Sequence, residues 1–328
     1  MWILASSHLA AVASEGITIR LNLPVLHPLL QQTFWLFLLL IGFTLLGRSV
    51  VRPFSVRNVN ALPSRETAPQ ESQRGFALGW VMALVSVIPM VIVGALHPHI
   101  TPSFDSWLPT IAFAGTLFVA MLALEVAYRG FLFARLLAIL GPVPATIVLS
   151  LIFALASNLQ ANSTPLGFVY AFVTGIVLSI AYLRTHALWF GWGLHFGWAI
   201  TTGVFFGLPV AGYNAFDNLI TTSVSGPTWL TGGTYGPDGA LLTLVILLAA
   251  IFPLYRLTRD YAWNYTHAPI VPMGEAVVIA PPAAHTAMEE TAAAKPAPLV
   301  QILASTPAQA STLPEIQEHL RNIPGSND

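Results

Sequence analysis

From Leu30 to Leu257 the chain is dominated by apolar runs of about 18 to 30 residues, the length at which an α-helix crosses the hydrocarbon core of a bilayer. Water cannot pair with the backbone there, so each run has to satisfy its own amide groups, which selects helix. Of the 328 residues, 55% are hydrophobic and only 8% charged, with a mean hydropathy of +0.71. An ordinary soluble domain carries about 25% charged residues. The expected fold class is all-α: a polytopic transmembrane helical bundle with a disordered C-terminal tail. About seven spans are expected from a window of roughly 19 residues, near 30–47, 77–97, 109–140, 143–160, 166–184, 187–207 and 240–257. The third is long, and is expected to extend past the bilayer at its "FARLL" end, where Arg135 can reach the interface.

The same composition removes several function classes. Thirteen basic and fourteen acidic residues nearly cancel, and no basic cluster suggests nucleic acid. Without cysteine there is no disulfide, thiolate nucleophile or zinc-thiolate site. Chemistry must come from carboxylate, imidazole, hydroxyl or amide groups. No cofactor is predicted, and the sequence does not decide on a metal.

Basic residues set the expected orientation, because the cytoplasmic side is enriched in Lys and Arg. Arg48, Arg52, Arg57, Arg65 and Arg74 lie between the first two spans, Arg184 lies in the turn after the fifth, and Arg256 and Arg259 follow the last. Segments 98–108, 158–165 and 208–239 contain neither Lys nor Arg. The chain is therefore expected to be an integral membrane protein with residues 1–29 outside, a transmembrane domain over 30–258 and a cytoplasmic tail over 259–328. "MWILASSHLAAVASEG" has small residues near a cleavage point. It lacks a basic n-region, and Ser6, Ser7 and His8 interrupt its apolar stretch, which argues against a cleaved signal peptide. The Ala/Pro/Thr-rich tail from Thr266 cannot bury enough apolar surface to offset its ordering entropy. Within it, "STLPEIQEHLRNI" has a cap at Ser311 or Thr312 and an apolar face of Leu313, Ile316, Leu320 and Ile323.

Of the fourteen acidic residues only Glu125 falls within a predicted span, and of the nine histidines only His195 sits well inside one. A carboxylate at mid-helix costs on the order of 3 kcal/mol on insertion scales, so it marks a candidate functional site. Arg129 lies one turn along the same face in the favourable acid-before-base order. An internal ion pair that pins helices is the competing explanation. Counted from Leu140, Glu125 is roughly 20 Å from the cytoplasmic end and His195 about 12 Å along its own span, so a shared pocket is permitted by depth without being required. "HPH" at His97–His99 lacks further metal ligands. "TGGTYGPDG" at Thr231–Gly239 lacks the Lys-Ser/Thr of a phosphate loop and reads as a structured turn. Neither H-E-x-x-H nor G-x-S-x-G occurs.

Taken in order, "LEVAYRG" at Leu124–Gly130, "FALAS" at Phe153–Ser157 and "HFGWA" at His195–Ala199 resemble the E-E-x-x-x-R-G, F-x-x-x-H and H-x-x-x-N motifs of the CPBP (Abi) family. That family includes the type II CAAX prenyl endopeptidases. The flanks "GFLFARL", "SLIFALASNLQANSTPL" and "AYLRTHALWFGWGLHFGW" extend the resemblance over roughly residues 124–242. The resemblance implies a helical intramembrane peptidase, in a bacterial inner membrane, in which glutamate and histidine of the first two motifs activate water while histidine and asparagine of the third steady the oxyanion. This sequence departs at three of those positions: Leu124, Ser157 and Ala199. Glu125, Arg129 and His195 remain as the candidate catalytic residues. Adjacent helical residues point about 100° apart, so Glu125 does not simply replace a glutamate at 124.

Three readings follow. The first is a CAAX-protease-like membrane protein with impaired catalysis that binds lipidated or membrane-embedded polypeptides and recruits a cytoplasmic partner through its tail. The second is an active endopeptidase with a rearranged Glu125/His195 centre. The third is a small-solute carrier, which lacks the paired broken helices of inverted repeats.

Overall fold

The computed structural model describes residues 1–48, 59–100, 104–160, 162–213 and 219–261. All of these fall in the first of two units, Met1–His267. The tail and its expected helix lie outside the described residues.

The helices are α1 (Trp2–Leu21), α2 (His27–Gly47), α3 (Ala68–Ile92), α4 (Trp107–Arg129), α5 (Phe131–Leu140), α6 (Pro142–Ser157), α7 (Pro165–Thr185), α8 (Trp189–Ile200), the short α9 (Thr228–Thr231), α10 (Leu241–Ala249) and α11 (Ile251–Leu257). Four apolar helical stretches are long enough to cross a membrane: Pro24–Gly47, Ala68–Ile92, Trp107–Leu140 and Pro165–Thr185. Pro142–Ser157 and Leu241–Leu257 are shorter apolar helices. The bundle is therefore all-α and polytopic, as the hydropathy required. Its outward side chains include Phe37, Leu45, Val81, Val85, Phe118, Leu151, Val245 and Phe252, all exposed, a surface suited to acyl chains rather than water.

Helix ends follow local chemistry. Thr164 caps α7, its hydroxyl accepting from the Gly167 amide at 3.0 Å, with Pro165 in the first turn and His186 closing the helix in the left-handed region at φ 49°. Such caps satisfy amide and carbonyl groups that have no partner within the helix. Pro142 opens α6 after Gly141 at φ 78°, proline being tolerated where its missing N–H would be unpaired anyway.

The most intimate packing joins α3 to α8. Each helix carries a G-x-x-x-G, Gly75/Gly79 on α3 and Gly193/Gly197 on α8. A Cβ on Gly75 or Gly79 would lie under 3.0 Å from the carbonyl oxygens of Phe190 or Leu194, and one on Gly193 or Gly197 equally close to those of Ser72 or Phe76. The two backbones are in direct contact, the mode of association that small residues permit between membrane helices. His195 lies between the two α8 glycines.

The structure differs from the hydropathy reading in several places, first in that four stretches among the described residues, rather than about seven, are long and apolar enough to cross a membrane. The long third span is not one straight helix but breaks at Gly130 into α4 and α5. Residues 2–21, expected only as an extracytoplasmic segment, form a helix folded back along α2. The Trp2 indole donates to the Leu38 carbonyl at 3.2 Å and Trp35 donates to that of Ile3 at 3.4 Å. The contact of Trp2 with Gly42 places the N-terminal end of α1 toward the Arg48 end of α2.

The arginine-bearing segments do meet. Arg65 pairs with the buried Glu71 and donates to the Thr185 carbonyl at 2.9 Å, Arg74 donates to that of Leu257 at 3.3 Å, and Arg184 reaches Thr258 and Tyr255 at 2.6 and 3.2 Å. At the opposite end, Leu96–Ile100 (β1) and Ile220–Val224 (β2) form an antiparallel ribbon with His97 opposite Ser223. Hydropathy gave no hint of this ribbon, because two short strands at a membrane surface carry no long apolar run.

Candidate active site

The site begins where α4 ends. Gly130 has φ −72° and ψ −120°, and its amide bonds back to the Glu125 carbonyl at 3.1 Å. A Cβ there would stand 2.6 Å from the Val126 carbonyl oxygen, so the break requires glycine. Gly130→Ala is expected to destabilise the protein by about 1–3 kcal/mol, the usual cost of forcing an extra carbon into a packed site. Thermal unfolding in detergent would show it, and an unchanged midpoint would mean that the chain can close this turn with a side chain present.

Because α4 stops at Arg129, Glu125 and Arg129 occupy its last turn instead of the middle of a long span. Both are buried, with side-chain exposures of 1% and 0%. Glu125 Oε1 accepts from Arg129 Nη1 at 3.1 Å and lies 3.2 Å from His195 Nδ1. Arg129 Nη2 also donates to the Gly175 carbonyl on α7 at 3.4 Å, and its guanidinium lies 5.0 Å over the Phe153 ring. Phe153, on α6, meets His195 at 6.4 Å and Tyr128 at 5.1 Å between ring centroids. Gly191 makes room for the carboxylate: its Cβ would be 3.2 Å from Glu125 Oε2. Four helices thus converge on one carboxylate, guanidinium and imidazole.

The depth count permitted a shared pocket without requiring one, and it ran from Leu140 although α4 ends at Arg129 and α5 begins at Phe131. The three sequence-selected residues do meet in one cluster.

Chemically, a proton on Nδ1 makes the Glu125–His195 contact a hydrogen bond and leaves Nε2 with its lone pair. Glu125 Oε2 has no hydrogen-bond partner among the described residues, and the His195 side chain retains 14% exposure. A carboxylate-backed imidazole of this kind can take a proton from water or a hydroxyl. Among the described residues no group of three or more His, Cys, Asp or Glu could hold a metal.

The replaced motif positions have separate fates. Ser157 is half-buried at the end of α6, one turn beyond Phe153. Leu124 and Ala199 belong to one apolar cluster with Phe113, Leu117, Met121, Trp192 and Phe196. Both positions are set among hydrocarbon side chains.

Two contributors escaped sequence reading. The G-x-x-x-G spacing on α3 and α8 was available as a signal. The other is Asp238, a buried carboxylate in the glycine-rich turn that read only as a connection, and nothing local marks it.

Fold and site together define a polytopic helical membrane protein with a buried glutamate–arginine–histidine centre. Residues 105–201 match the family model described as type II CAAX prenyl endopeptidase Rce1-like. This match supports the CPBP/CAAX-protease-like family and contains Glu125, Arg129, Phe153, Ser157, His195 and Ala199. Comparison with curated proteins and with solved structures returned no match.

Proposed function

We propose that this CAAX-protease-like membrane protein keeps the family's helical frame but has lost most of its peptidase chemistry, and that it binds lipidated or membrane-embedded polypeptides. The observation that carries this reading is the apolar cluster shared by Leu124 and Ala199. A glutamate that activates water needs its carboxylate within reach of that water, an asparagine that steadies an oxyanion needs its amide aimed at the reacting carbonyl, and a hydrocarbon side chain stands at each position instead. Loss of one oxyanion donor alone costs about 10²–10³ in rate. Glu125, Arg129 and His195 then hold four helices in register. The arginine-bearing end faces the cytoplasm of a bacterial inner membrane, and the C-terminal tail recruits a partner there.

A second reading has its own support. The 3.2 Å contact between Glu125 and His195 is a ready carboxylate–imidazole pair, and Ser157 or water would serve as its nucleophile in a rearranged peptidase.

One experiment separates them. Purified protein is incubated with membrane-proximal and CAAX-ended peptides beside the Glu125→Gln variant. The impaired reading expects binding without turnover, whereas cleavage that Glu125→Gln abolishes would establish the rearranged enzyme. Leu124→Glu, Ser157→His and Ala199→Asn introduced together should raise turnover by roughly 10² or more, since two water-activating groups and one oxyanion donor return. A folded but inert triple variant would overturn the placement of the motifs.

A further inference from the structure

Asp238 is only 4% exposed although it lies in the segment between α8 and α10 that hydropathy assigns to the outer surface. Its Oδ1 accepts from the Trp198 indole at 2.7 Å and its Oδ2 from the Ala211 amide at 2.7 Å. Burial pushes the carboxyl above the usual carboxylate range, while the Ala211 and Trp198 donors hold it back. The loop is shaped for this contact: Gly236, at φ 89°, presses on the Pro209 carbonyl, and Tyr235 packs on Gly167 of α7. A buried carboxylate with one donor from the loop and one from α8 ties the two together, since leaving either donor unpaired would cost about 1–3 kcal/mol.

The helix it grips is the one that bears His195. Trp198 follows His195 by three residues, so the two side chains are neighbours on the α8 surface. The imidazole therefore has Glu125 in contact through α4, while the next turn of its own helix is tied through Trp198 to a second buried carboxylate, Asp238.

We infer that Asp238 is a positioning residue of the Glu125–His195 pair, acting through the Trp198 indole to fix the turn of α8 that carries the imidazole. This deepens the reading of the site as an inherited catalytic frame and makes Ala211 and Asp238, in the described parts of the loop, part of the site. The test needs no substrate, so its result is independent of whether peptides are cleaved or bound.

Full-length protein in detergent is treated with diethyl pyrocarbonate, and modification of each histidine is followed by peptide mass spectrometry, with His8, His27 and His97 as internal references. Asp238→Asn and the milder Trp198→Phe are each expected to speed modification of His195 about tenfold, as the turn of α8 that carries the ring gains freedom, with the reference histidines unchanged. Asp238→Glu should recover part of the protection. Glu125→Gln, which breaks the direct contact, serves as the positive control. The inference is overturned if His195 reacts at the native rate in both Asp238→Asn and Trp198→Phe while Glu125→Gln accelerates it. It is equally overturned if all histidines accelerate together, because Asp238 would then be only a general structural tie.

Discussion

Gly79→Val is expected to abolish the folded bundle. The Cβ would be driven into the Leu194 carbonyl oxygen of α8, a backbone atom that no rotamer change can move aside. Separating α3 from α8 would also pull apart Gly75 and Phe190, Gly193 and Ser72, and Gly197 and Phe76, all spaced for the same backbone contact. Helices in a bilayer gain little from burying apolar surface against each other, so loss of close packing has no hydrophobic substitute. The expected loss is at least about 4 kcal/mol, at the far end of what single substitutions do. A monodisperse peak in size-exclusion chromatography and the thermal midpoint would measure it. Gly16→Ala on α1 is the matched control, since its Cβ meets nothing within 4 Å and should leave the protein unchanged or slightly more stable. A Gly79→Val protein as monodisperse and stable as the parent would show that the glycine seam does not hold these helices.

The second large effect concerns the charge pair. Arg129→Met leaves Glu125, with 1% side-chain exposure, without its counter-charge, and breaking a buried pair from one side costs about 3–5 kcal/mol. Glu125→Gln alone strands the guanidinium, although the Gly175 carbonyl and the Phe153 ring still hold it. The double variant Glu125→Gln/Arg129→Met should therefore be more stable than Arg129→Met alone, a coupling of the kind expected for residues in one network. Thermal unfolding of all four proteins in the same detergent closes the cycle. Strictly additive losses would mean that the two groups do not compensate each other. Even the relieved double variant should fall short of the parent, because the Arg129 contacts to α6 and α7 are gone.

The site was legible in the sequence to different depths. Glu125 stood out because a carboxylate in a span is costly, and Arg129 because helical spacing places it one turn along. His195 stood out as the only histidine well inside a predicted span, and motif order then set it beside them. The contact among them was not legible. Depth arithmetic needs to know where each helix ends, and the end at Gly130 depends on a conformation that a bare "YRG" does not announce. Asp238 was invisible for a similar reason: burial of an acid in a glycine-rich turn is a property of what folds over it.

What the sequence alone determined is the solvent and the candidate atoms. Long uncharged apolar runs leave the backbone no partner but itself, which makes the chain a helical membrane protein, and scarcity of charge singles out the few groups able to do chemistry. Only the tertiary structure decided whether those groups meet. The meeting of Glu125 with His195, the glycine seam that seats α8 on α3, and the hydrocarbon around Leu124 and Ala199 all arise from residues far apart in the chain. Contact between distant residues is set by how helices pack, and packing is a property of paired surfaces that no single stretch of sequence contains.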